Sequence, residues 1–135
     1  MTSKMTELPV KELMSRDLVV VRPGDTLAEM ERLFLAYNIH HLPVVDDSRK
    51  LCGLVSKTDM YKARAEAADP VKVEDIMTRQ VATAVPDTPL REVADVFLSN
   101  ILHAMPIVDK DELLGLVTAQ DVLRYCLKEQ KLLEE

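Results

Sequence analysis

Apolar positions along this chain follow two periods in a fixed order, and that order is written twice. A short turn ending at Met14 leads into the β-branched run Leu18-Val19-Val20-Val21, which predicts a strand. Pro23-Gly24-Asp25-Thr26 supplies turn and N-cap residues, and Leu27, Met30, Phe34 and Leu35 then recur at helical spacing. Leu42-Pro43-Val44-Val45 and Leu51-Cys52-Gly53-Leu54-Val55 are short apolar runs joined by a polar turn, which predicts a hairpin. A second helix is expected from about Lys57 to Ala68, stopped at Asp69-Pro70 because proline disfavours a helical residue before it.

From Val73 the pattern returns at an offset of 63 positions. A turn ends at Met77, Val81 to Val85 reads as a strand, and Leu90, Val93, Phe97 and Leu98 mark the helix. His40 falls on His103, Pro43 on Pro106 and Asp46 on Asp109. One residue is then missing from the second copy, so Gly53, Ser56 and Asp59 meet Gly115, Thr118 and Asp121 at an offset of 62. Between Asp and Gly that change falls in a turn, where it costs least. The final helix runs from Ala119 towards the C-terminus. A copy of about 60 residues buries too little surface to be comfortable alone. The expected fold is therefore α/β (α+β), with two copies related by an approximate twofold, packed through their sheets and leaving a cleft where they meet.

Composition narrows the function classes. The chain has 135 residues, 47% hydrophobic and 30% charged, with no Trp and 4% aromatics, so Val, Leu, Ile and seven Met must build the core. A formal charge of −6 argues against a phosphate-backbone interface and hence against nucleic acid as a partner. Cys52 and Cys126 form no CxxC or metal-type cluster, no apolar run reaches membrane-spanning length, and MTSKMTELPV lacks a signal-type apolar core. A cytoplasmic protein that does not engage the membrane is expected. Three glycines, Gly24, Gly53 and Gly115, cannot make a P-loop or a dinucleotide fingerprint. Neither cysteine sits in a context that activates a nucleophile, and the histidines and carboxylates lack metal-ligand spacing, so no enzyme and no metal site are expected.

The ordered motifs V-x-[DE]-[LI]-M-[ST], P-x-D/T-x-L, [HA]-[LM]-P-[VI]-V-D and G-L-V-[ST]-x-x-D, each present twice between Val10 and Leu127, resemble the cystathionine-β-synthase-type (CBS) domain, which occurs as tandem pairs. The resemblance implies a β-α-β-β-α unit per copy, a disc-like module and commonly a homodimer of discs. It divides the chain into a lead (1–9), motif 1 (10–68), a linker (69–72), motif 2 (73–127) and a C-terminal helix extension (128–135). That extension is either a frayed tail or a source of leucines for a dimer contact. The resemblance also implies a regulatory ligand, an adenine nucleotide such as AMP, ADP or ATP, or S-adenosylmethionine, with no cofactor required. Occupancy would be signalled to a regulated enzyme or transporter. The alternative is a structural dimerisation or docking module with empty clefts.

Ser56-x-x-Asp59 and Thr118-x-x-Asp121 have two readings. As local structure each is close to a capping box, useful with no ligand at all, although Asp fits the acidic position less well than Glu or Gln. As chemistry, a carboxylate can accept both hydroxyls of a ribose, and amides at a helix start attract anions. The resemblance implies the second role, because the family's ribose-binding Asp closes this same motif. One side chain can serve both.

Around these, Lys57 is a candidate cation for a ligand phosphate, and Arg16 and Arg79 are further cations or plain loop charges. His40 and His41 are adjacent, so on a strand they point to opposite faces and at most one enters a given site. The resemblance implies that His41, two residues before Pro43, serves the Thr118–Asp121 cleft, whereas its counterpart Ala104 leaves the Ser56–Asp59 cleft without that group. The two sites are thus expected to be unequal, with Asp121 in the stronger. Histidine is a weaker phosphate ligand than arginine near neutral pH. The resemblance further implies a base slot walled by Val19, Val21, Leu42 and Pro43 in one copy, and by Val81, Thr83, Met105 and Pro106 in the other. Plain core is the alternative for these apolar residues.

Overall fold

The computed structural model describes residues 7–66 and 71–134, the last three by backbone alone. The expected helix end at Ala68, the Asp69-Pro70 stop, and residues 1–6 and 135 lie outside the described residues. A 3₁₀ turn, Val10–Glu12, precedes helix α1 (Leu27–Ala36), strands β1 (His41–Val45) and β2 (Leu51–Ser56), and helix α2 (Lys57–Glu66). The second copy repeats this with the one-turn helix α3 (Val73–Ile76), α4 (Leu90–Asn100), β3 (Ala104–Asp109), β4 (Glu112–Thr118) and α5 (Ala119–Glu134). β1 pairs with β2, and β3 with β4, as two separate two-stranded sheets.

Both hairpins form where the apolar runs predict them. In the first, antiparallel pairing sets His41 opposite Ser56 and Val44 opposite Gly53, with a register shift between Val44 and Val45. Asp46 Oδ1 ties the turn by accepting the Ser48 and Lys50 N–H groups at 2.8 and 2.9 Å. In the second, Lys110 and Asp111 carry φ of 50° and 70°. Two successive positive φ values are the pattern of a type I′ turn, whose twist matches that of the flanking strands.

The strands expected at Leu18–Val21 and Val81–Val85 do not form. Each run makes one isolated parallel bridge instead, Val21 with Val44 and Ala84 with Ile107. Val21 donates to the Pro43 carbonyl at 3.0 Å and accepts from the Val45 N–H at 2.9 Å, and Ala84 does the same with Pro106 (3.2 Å) and Val108 (2.8 Å). The next donors in a parallel ladder would be the nitrogens of residues 23 and 43 in the first copy, and 86 and 106 in the second. All four are prolines, which have no N–H to give. β-branched composition favours extension, but proline on both flanks stops the ladder after one rung.

The chain forms two compact units, and each contains the leading turn of the other repeat. One comprises Val19–Val81 with Asp111–Leu113, and the other Met1–Leu18, Ala82–Lys110 and Leu114–Glu135. The core of the first is Val21, Met30, Phe34, Leu42, Val44, Val55 and Met60, completed by Val73 from the second copy's start. That of the second is Leu90, Val93, Phe97, Met105, Ile107, Val117 and Val122, completed by Val10 and Met14 from the first copy's start. Val10 N–H donates to the Thr88 carbonyl and Val73 N–H to the Asp25 carbonyl, both at 2.8 Å, so the turns are held by backbone as well as by packing.

The amphipathic faces of α1 and α4 are narrower than the spacing suggests. Met30 and Phe34, like Leu90, Val93 and Phe97, are buried, but Leu35 is 74% and Leu98 81% exposed. Each follows a buried Phe, and a further 100° of rotation carries it off the core-facing stripe.

Candidate functional site

The two repeated G-L-V-[ST]-x-x-D segments each take a strand directly into a helix, β2 into α2 and β4 into α5. Lys57 N–H donates to the His40 carbonyl at 2.8 Å, and Ala119 N–H to the His103 carbonyl at 2.9 Å, which fixes both helix starts against the entry to the neighbouring strand. In the first, Ser56 Oγ accepts the Asp59 N–H at 3.0 Å while Asp59 Oδ2 accepts the Ser56 N–H at 2.9 Å. In the second, Thr118 Oγ1 accepts the Asp121 N–H at 3.1 Å while Asp121 Oδ2 accepts the Thr118 N–H at 2.9 Å. These are complete capping boxes, each closed by Asp where Glu or Gln is the usual residue.

A capping box engages one oxygen of the carboxylate and leaves the other. Asp59 Oδ1 accepts no hydrogen bond among the described residues, whereas Asp121 Oδ1 accepts from Arg124 Nη1 at 3.2 Å. Arg124 lies outside the motifs that the two repeats share. Its signal is a D-x-x-R spacing, which on a helix brings i and i+3 together. Lys62 occupies the matching place in the first copy, where no ion pair with Asp59 forms.

The first unit gathers Ser56, Lys57, Asp59, His40 and His41. Register places His41, half-buried, opposite Ser56, while His40 is exposed. Thr118 and Asp121 stand in the second unit, where Ala104 at His41's position is buried. Of the proposed base-slot residues, Val21, Leu42 and Met105 are at most 2% exposed and belong to the two cores. Pro43 and Pro106 are also buried. Val19 and Val81 are half-buried in the first unit, and Thr83 is exposed in the second. Arg16 is exposed, and Arg79 is exposed and donates to the Glu74 carbonyl at 3.2 Å. No cluster of three or more metal-ligating side chains occurs among the described residues. No helix among them is long and apolar enough to cross a membrane.

The CBS domain family matches the chain at residues 10–66 and 73–128, one match per repeat. Among solved structures, AcuB from Vibrio cholerae is 28% identical with a TM-score of 0.89, covering 96% of this chain and 98% of that one. The CBS domain pair of protein MJ0100, in complex with 5′-methylthioadenosine and S-adenosyl-L-methionine, is 31% identical with a TM-score of 0.84, covering 90% and 98%. CBSX2 in complex with AMP is 26% identical with a TM-score of 0.79, also covering 90% and 98%. Homoserine O-acetyltransferase from Methanohalobium evestigatum is 36% identical over 116 residues, 85% of this chain, but the chain spans only 23% of that enzyme's length. Two family matches in repeat order, together with whole-chain likeness to solved CBS pairs, place the protein: it belongs to the CBS domain family and is a tandem CBS pair.

Proposed function

We propose that the protein is a regulatory CBS pair that binds an adenosyl ligand, of the AMP, ADP, ATP or S-adenosylmethionine class, and signals occupancy to a partner. The observation that carries this reading is the duplicated cap. Each copy holds a hydroxyl, an acidic carboxylate and the first amides of a helix at one point, the donor and acceptor set that a ribose and its substituents require. The similar MJ0100 pair with its two adenosyl ligands, and CBSX2 with AMP, support that ligand class. The ligand-binding residues are Ser56, Lys57, Asp59, His40, His41, Thr118 and Asp121. Val19, Val81 and Thr83 have surface to offer the base, while Val21, Leu42, Pro43, Met105 and Pro106 back it.

The role is binding, not catalysis. A binding protein signals only through differential affinity for two conformations, so the regulated partner, an enzyme or transporter, must recognise one of them. We take the protein to be cytoplasmic and a homodimer. A second reading, a ligand-free dimerisation or docking module, is favoured by the exposure of Leu98 and Ile101 (81% each), Leu123 (63%) and Leu127 (66%). Calorimetry and thermal shift with AMP, ADP, ATP, 5′-methylthioadenosine and S-adenosylmethionine separate the two readings. Saturable binding by wild type, weakened in Asp59→Asn or Asp121→Asn, supports the sensor. Absence of binding with every compound supports the docking module.

A further inference from the structure

We infer that Arg124 makes the two caps chemically unequal, so that Asp59, not Asp121, is the principal acceptor for a ribose diol. This rests on the adenosyl-binding reading above and assigns its specificity. It also inverts the order expected from sequence, where the histidine pattern favoured Asp121.

A ribose presents two neighbouring O–H donors, which are best met by the oxygens of one carboxylate. In both caps Oδ2 already accepts the N-cap N–H at 2.9 Å, so Oδ1 decides what a diol gains. At Asp59, Oδ1 has no partner among the described residues. At Asp121 it is engaged by Arg124, whose side chain is 62% exposed against 20% for Asp121. The guanidinium is thus the outer member of the pair, and a hydroxyl arriving from solvent must share or displace it. Arginine offers five N–H donors and no acceptor. The second cap therefore presents cationic donors, which suit the phosphate or carboxylate of a ligand better than its sugar. The first cap presents a bare acceptor, with His41 opposite Ser56 in register and Lys57 beside it.

The test is an amide NMR titration with 5′-methylthioadenosine, which has no phosphate, and with AMP, which has one. In wild type, 5′-methylthioadenosine should saturate the Ser56–Asp59 amides at roughly tenfold lower concentration than the Thr118–Asp121 amides, equivalent to about 1.4 kcal/mol. Arg124→Gln, an exposed change, should narrow that gap several-fold and weaken the response of Thr118 and Asp121 to AMP. Asp59→Asn should remove the tighter event, with circular dichroism confirming the fold. Saturation of Thr118–Asp121 first, or an unchanged ratio in Arg124→Gln, would overturn the inference while leaving the adenosyl reading intact. If no adenosyl compound perturbs any wild-type amide, the adenosyl reading falls and takes this inference with it.

Discussion

Met14 and Gly115 pack so closely that a Cβ on the glycine would lie 2.5 Å from Met14 Sδ and 3.0 Å from the Ser15 carbonyl oxygen. The copy-related pair repeats this, since a Cβ on Gly53 would lie 2.6 Å from the Thr78 carbonyl oxygen and 2.9 Å from Met77 Sδ. The two most characteristic motifs of each repeat, Met-[Ser/Thr] and Gly-Leu-Val, are therefore two halves of one contact. That contact joins Met14 to Gly115 and Met77 to Gly53, and backbone bonds between Ser15 and Leu116 (2.9 and 3.0 Å) and between Thr78 and Leu54 (2.9 and 3.0 Å) run beside it.

Alanine at either glycine should destabilise by overpacking, about 1–3 kcal/mol. The nearest atom to a Cβ at Gly53 is backbone and cannot step aside, whereas at Gly115 it is the flexible end of a methionine. Urea unfolding should accordingly show Gly53→Ala to be worse than Gly115→Ala. In a Met14→Ala background, Gly115→Ala should cost less than in wild type. Strict additivity of those two changes would contradict the contact.

The exchanged turns make a sharper prediction. Val10 is fully buried in the core that contains Leu90, Phe97 and Ile107, and Val73 in the one that contains Met30, Phe34 and Val44. Hydrogen exchange should show Val10→Ala lowering protection in α4 and β3 rather than in its own copy's α1 and β1. Val73→Ala should do the reverse, each change costing about 1–3 kcal/mol from lost burial and the cavity left behind. Loss confined to the copy that carries the mutation would refute the exchange.

Because each cap is closed by protein atoms alone, its loss should be visible without ligand. Ser56→Ala and Thr118→Ala should each cost about 0.5–2 kcal/mol in denaturant unfolding. Thr118→Ser, which keeps the oxygen, should cost much less. A silent Thr118→Ala would mean that the bonds at 2.9 and 3.1 Å add nothing to the helix start.

The two cysteines should differ in reactivity. Cys52 is half-buried, and burial, with the Asp46 charge second, raises its pKa above the ordinary thiol value, while Arg79 opposes the shift. A raised pKa means less thiolate at any given pH, so iodoacetamide should modify Cys52 slowly, with the rate still climbing at alkaline pH. Cys126, exposed on α5, should be labelled first. Peptide mass mapping over time checks the order.

By itself the sequence determined the repeat, because the two copies match residue by residue at offsets of 63 and 62, and it determined the helices, both hairpins and the two caps, because each of these is encoded by residues no more than a turn or a hairpin apart. Met30 and Phe34 bury as their spacing requires, and Ser56 with Asp59 closes the box their separation allows. Arg124 was also legible, three residues beyond Asp121, but its effect on Oδ1 appears only once the rotamers are placed. Tertiary structure alone decided which carboxylate stays open and which core receives Val10 and Val73. Period and propensity set local conformation, but they are nearly the same in both copies. Only the packing of distant residues could choose between two equivalent partners.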